Sequence, residues 1–106
     1  MLFLPEKPTL KDFQEYVRQL ELERGFTEQS AIQTCLLLGE EVGELFKAVR
    51  KGDATLRIDS NSKVESIQEE LADILIYLCA IANRYDINVE QAFREKEERN
   101  KMRAWK

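Results

Sequence analysis

GEEVGELFKAVRK, residues 39–51, and EELADILIYL, residues 69–78, decide how this chain is read. Both are rich in Leu, Ile and Val, and both carry acids three positions apart: Glu41 with Glu44, and Glu70 with Asp73. On an α-helix such positions differ by about 60° around the axis and about 4.5 Å along it, so each pair shares a face. Leu38 and Val42 flank the first pair, Leu71 and Ile74 the second. The acids therefore run along the edge of an apolar stripe.

Outward from these two stretches the whole sequence reads as helix. Thr9-Leu-Lys-Asp12 has the form of an N-cap with an acid in the first turn, and apolar residues follow at Leu10, Phe13, Val17 and Leu20 until Gly25 ends the segment. Thr27 caps a second helix that runs to Gly52 through Ile32, Leu38, Val42, Leu45 and Val49. Asp53 to Asn61, rich in Asp, Ser, Asn and Thr, reads as a loop. Ser62-Lys-Val-Glu65 is a capping box for a third helix, with Val64, Ile67, Leu71, Ile74, Leu78 and Ile81 on one stripe and a stop near Tyr85. Asn88-Val-Glu-Gln91 caps a fourth, through Ala92 and Phe93 into a charged tail with Met102 and Trp105.

The fold expected is all-α: one domain over 1–106, an antiparallel bundle of about four helices with the second and third at its centre. Leu36, Leu37, Phe46, Leu75 and Ile76 fall off the main stripes, so this central pair is apolar on more than one face. Such a surface is usually covered by a partner, and the expectation is a homo-oligomer, dimer or tetramer, built around these two helices.

The chain has 106 residues, 34% charged and 43% hydrophobic, with a net charge of −4. This balance fits a soluble helical protein and argues against a nucleic-acid binder, which would show a basic face. The longest apolar run, Ile74 to Ala82, is far shorter than a membrane span, and MLFLP is too short for a signal sequence. Cys35 and Cys79 sit in apolar segments without CxxC spacing and read as reduced core residues, which suggests the cytoplasm. Histidine is absent, so any proton transfer or metal ligation falls to other groups.

A solvated helix face normally pairs each acid with Lys or Arg three or four residues on. Of the four acids only Glu44 has such a cation ahead of it, Lys47. Like charges beside apolar residues are costly unless something positive neutralises them. A hard divalent cation with oxygen ligands answers that need, whereas a di-iron bundle calls for Glu-x-x-His pairs that a chain without histidine lacks. On spacing alone a metal site and a salt-bridged surface both stay open.

The run Glu40-Glu41-Val-Gly-Glu44, then Glu70-Leu-Ala-Asp73, then Ala82-Asn83, Ile87 to Phe93, and Lys96 with Asn100 resembles the MazG-like all-α nucleotide pyrophosphohydrolases over about Thr27 to Arg103. ExxE alone carries little weight; the succession of features is specific. The resemblance implies hydrolysis of a nucleoside triphosphate, standard or modified, to monophosphate and pyrophosphate, a nucleotide-pool house-cleaning role. It implies Mg²⁺, or Mn²⁺, on Glu41, Glu44, Glu70 and Asp73, with Glu40 and Glu41 acting on the attacking water. Lys96 and Asn100 resemble the pair that meets the phosphates, while Tyr77 and Asn83 are candidates for the nucleotide. The competing reading is a non-catalytic helical interaction module that kept the fold.

Overall fold

The computed structural model describes residues 2–52 and 64–103, with side chains from 67 onward in the second stretch. Among the described residues four helices follow one another: α1 (Leu10–Arg24), α2 (Ala31–Gly52), α3 (Val64–Arg84) and α4 (Val89–Lys101). No strand occurs among the described residues, as the periodicity predicts. Nor is any described helix long and apolar enough to cross a membrane. The Asp53–Asn61 loop, the Ser62 cap and Trp105 lie outside the described residues.

Local signals set the helix ends. Thr9 accepts from the Asp12 N–H while the Asp12 carboxylate accepts from the Thr9 N–H, a closed capping box. Gly25 ends α1 at φ 75°, a left-handed conformation that costs glycine nothing, and its N–H returns to the Glu21 carbonyl. Asn88 caps α4 through the Gln91 N–H at 2.9 Å. The start of α2 departs from the sequence reading. Thr27 lies in a turn, and the cap is Ser30, whose Oγ accepts from the Gln33 N–H at 3.1 Å while the Gln33 side chain accepts from the Ser30 N–H at 2.9 Å. A serine followed three residues later by glutamine satisfies two orphan amides reciprocally, which Thr27 with Ser30 cannot do.

The described chain forms two compact units, Met1–Glu28 with Cys79–Lys106, and Gln29–Leu78. The first holds α1, α4 and the last turns of α3. Its core is Val17, Leu20, Cys79, Ala80 and Ala82, all under a tenth exposed. Two polar residues are buried among them. Gln14 bonds to the turn between α3 and α4. Glu21 takes both ends of the Arg84 guanidinium, at 3.1 and 2.7 Å, and Arg84 also donates to the carbonyls of Ala80 and Phe26.

The second unit holds α2 and α3 up to Leu78. Few of its side chains are buried: within α2, only Thr34 and Ala48. Ile32, Leu36 and Phe46 are 73%, 68% and 70% exposed, and Leu71 and Leu78 about half. Periodicity placed Ile32, Leu71 and Leu78 on core stripes, but one chain does not cover both faces of these helices. Cys35 is exposed for the same reason, contrary to its expected place in the core, while Cys79 is buried and its thiol is pushed up by desolvation.

The Glu21–Arg84 pair is largely out of water, whereas the Arg94–Glu90 pair on α4 is exposed. Removing one partner of a buried pair strands the other charge, at a cost of about 3–5 kcal/mol. Arg84→Met should therefore lower the unfolding free energy by about 3 kcal/mol in urea titrations. Arg94→Met should change it by less than about 1 kcal/mol.

Candidate metal centre

α2 supplies Glu41, and α3 supplies Glu70 and Asp73 one turn apart. One carboxylate oxygen from each lies within 4.8 Å of the others. Further along α2, Ala48 is buried, and a methyl group at Gly52 would stand at an ordinary contact distance, 3.6 Å, from Ile67 Cδ1. Glu41 and Glu70 are half-buried, and Glu70 Oε2 is buried without a hydrogen-bond partner. An unpaired buried carboxylate oxygen is costly.

That cost appears as a held proton. The Glu41 carboxyl is pushed up from an ordinary 4.5 to about 7, first by its hydrogen bond with Glu70, then by burial, then by the charges of Glu70, Asp73 and Glu44. Tyr77, one turn beyond Asp73, is raised by burial and then by the charges of Glu41, Asp73 and Glu40. It therefore stands within electrostatic reach of the cluster.

The remaining candidates are placed differently. Glu44 is exposed and outside the close trio, though its charge acts on Glu41. Glu40 is exposed. In the other unit, Lys96 is exposed on α4, and Asn100 is half-buried with its amide donating to Glu97 at 3.4 Å. Asn83 is bound to α1: its amide nitrogen donates to the Gln14 carbonyl, and its oxygen accepts from the side chains of Gln14 and Arg18. Gln14 itself was missed by the sequence reading. The available signal was a polar residue at spacings of three and four within the apolar stripe of α1, between Leu10 and Val17.

Residues 26–104 match the model of the MazG nucleotide pyrophosphohydrolase domain. The chain belongs to this family. The MazG domain here is 35% identical over 105 residues to dCTP pyrophosphatase 1 of Rattus norvegicus and 33% identical to that of Homo sapiens. In each case the match takes in 95% of this chain and 61% of the relative, so the chain spans less than two thirds of these proteins. The crystal structure of iMazG from Vibrio DAT 722 shares its fold with a TM-score of 0.60 at 29% identity, covering 88% of this chain and 98% of that one.

The donor set of this MazG domain suits a divalent cation. The ligand atoms are hard carboxylate oxygens, they converge from two helices, and one is buried without a partner. A cation and the proton on Glu41 compete for the same negative charge. Because Glu41 holds its proton to higher pH folded than unfolded, its contribution to stability in chelator is full below about 4.5 and is lost as pH rises through about 7. Thermal unfolding in EDTA should show that decline, and Glu41→Gln should flatten it. Calorimetric titration with a divalent cation between pH 6 and 7, in buffers of different ionisation enthalpy, should register proton release by the wild-type protein.

Proposed function

We propose that this protein hydrolyses a nucleoside triphosphate to its monophosphate and pyrophosphate, using Mg²⁺, or Mn²⁺, held by Glu41, Glu44, Glu70 and Asp73. The observation that carries this reading is the convergence of Glu41, Glu70 and Asp73 within 4.8 Å, with a buried, unpaired oxygen on Glu70. Family membership supports the reaction class, and the relatives' name, dCTP pyrophosphatase 1, makes dCTP the first substrate to test. The role is clearance of the nucleotide pool, and the location is the cytoplasm, with which two free thiols agree.

A divalent cation bound there supplies the positive charge that offsets both the acids and a triphosphate. The chain does the rest. With no histidine available, the proton from water goes to a carboxylate. Glu41, set among the other acids, is the acceptor, and Glu40, about 100° away around α2, orients the water. Lys96 and Asn100, four residues apart on α4, take the phosphates, and Tyr77 offers a face to the base. Asn83 is the further candidate for the nucleotide, and its bonds to Gln14 on α1 are the competing use of its side chain.

A panel of standard and modified triphosphates, assayed with and without Mg²⁺, tests the reading. Pyrophosphate should appear only with the cation. Release of orthophosphate with a diphosphate, or no turnover of any nucleotide, would overturn it in favour of a non-catalytic module. Glu70→Gln and Asp73→Asn should each cost at least about 100-fold in kcat/KM, because each removes a ligand from the cluster, while thermal stability in EDTA is kept or improved. Glu40→Gln should cost less.

The reading includes self-association. Exposed Ile32, Leu36 and Phe46 on α2, with Leu71 and Leu78 on α3, form an apolar surface suited to a second copy of the chain. Light scattering at micromolar concentration should give at least two chains of 12.4 kDa each. A Leu36→Glu, Phe46→Glu double variant should shift the protein towards the monomer. A fully active wild-type monomer would refute the oligomer.

A further inference from the structure

The helix α2 has two unlike flanks. Measured around its axis from Glu41 at about 100° per residue, Leu45, Val49 and Val42 fall at about 40°, 80° and 100° on one side. Glu44, Lys51, Glu40 and Lys47 fall at about 60°, 80°, 100° and 120° on the other. Between the flanks lies the covered face, with Thr34 and Ala48 buried at about 20° to either side of Glu41. From Glu40 to the end of the helix, the second flank therefore reads as two acids followed by two lysines.

Lys47 stands about 4.5 Å and Lys51 about 10.5 Å beyond Glu44 along the axis. The Cα–Cβ bonds of a helix tilt towards its N-terminus, so both stems set out in the direction of the acids. Neither lysine is used within the fold. Among the described residues neither has a hydrogen bond or an ion pair, although Lys47 stands at the i,i+3 spacing from Glu44 that commonly makes one. Lys47 is exposed and Lys51 half-buried. A triphosphate that meets a cation held by Glu41, Glu70 and Asp73 arrives from solvent, and the apolar flank offers its charges nothing. On the polar flank Glu40 repels those charges and the lysines attract them. The anionic chain thus extends from the acids towards the C-terminal end of α2.

We propose that Lys47 and Lys51 bind the two phosphates that depart as pyrophosphate. The proposal rests on the reaction assigned above, and every residue it uses lies within Gln29–Leu78. Hydrolysis of the α,β-anhydride adds one water across a P–O bond: the water oxygen joins phosphorus, the bridging oxygen leaves with the bonding pair, and a proton passes to a carboxylate. The freed pyrophosphate gains an anionic oxygen, and ammonium groups beside it offset that charge. Cations in the last turn of a helix also offset its dipole, and Arg50 shares that place with Lys51. The two roles separate by angle, because Arg50 falls about 180° from Glu41, away from the polar flank.

The test uses the full chain with Mg²⁺ and inorganic pyrophosphate. Calorimetric titration of the wild type should show pyrophosphate binding that needs the cation. Lys47→Met with Lys51→Met should weaken that binding by about tenfold or more, and pyrophosphate should lose potency as a product inhibitor by the same factor. Inhibition by the nucleoside monophosphate should stay within about twofold of wild type, which a general loss of structure would not allow. Lys47→Arg with Lys51→Arg keeps both charges and should retain most of the affinity. Arg50→Met should leave pyrophosphate affinity within about twofold, whereas a dipole role alone predicts equal losses of thermal stability for Arg50→Met and Lys51→Met and no change in pyrophosphate binding. Unchanged affinity in the double lysine variant, equal weakening by Arg50→Met, or a wild type that binds no pyrophosphate with Mg²⁺ overturns the proposal. Turnover judges the reaction separately. A wild type that hydrolyses triphosphate but binds pyrophosphate regardless of the lysines refutes the proposal alone, and one that hydrolyses none refutes the reaction while the titration still decides the lysines.

Discussion

Glu41, Glu70 and Asp73 bring like charges within 5 Å of one another, with Glu41 and Glu70 half-buried. Folding gains nothing from this. Glu41 and Glu70 give up part of their hydration beside like charge, and the proton in the Glu41–Glu70 hydrogen bond offsets part of that repulsion. The helices that carry the acids must therefore be held together by something other than the acids. Along these helices, that is apolar contact such as Ile67 beside Gly52 and the burial of Ala48, together with whatever covers the outer faces. A site that stores repulsion is poised for a cation, since binding one replaces the proton and converts a local cost into a gain.

The two units meet different demands. Met1–Glu28 with Cys79–Lys106 has a core and two buried polar clamps, Gln14 and the Glu21–Arg84 pair, each with several partners. It looks after itself. Gln29–Leu78 carries the acids and little buried apolar surface of its own, while Leu36 and Phe46 stand in water. An amphipathic helix pair whose apolar faces are open gains most of its stability from what is laid against them.

Features governed by neighbours in sequence were legible. The capping pairs Thr9 with Asp12 and Asn88 with Gln91, the glycine stop at Gly25 and the acid spacing on both helices depend only on residues three or four apart. Where two local solutions competed, as Thr27 and Ser30 did, spacing to Gln33 decided, and only the observed bonds show which won. Convergence was not legible. That Glu41 rather than Glu44 meets Glu70 and Asp73 depends on how α2 and α3 cross, which no helix period encodes. Nor does periodicity reveal how many helices are available as cover, so it gave Ile32 and Cys35 to a core that one chain does not build around them.

The polar residues inside the α1 stripe carry a further lesson about helical bundles. Val17 and Leu20 bury apolar surface, and that gain depends weakly on the exact angle at which a neighbour lies. Gln14 and Glu21, at the same buried face, form directional bonds that tolerate little rotation. Hydrophobic residues decide that helices associate, and buried hydrogen bonds decide in which geometry, because a misaligned partner leaves a desolvated group unpaired. α4, none of whose residues is fully buried, takes part of its alignment from the bonds at its first turn, where Gln14 accepts from the Val89 N–H and Asn88 from the Gln91 N–H.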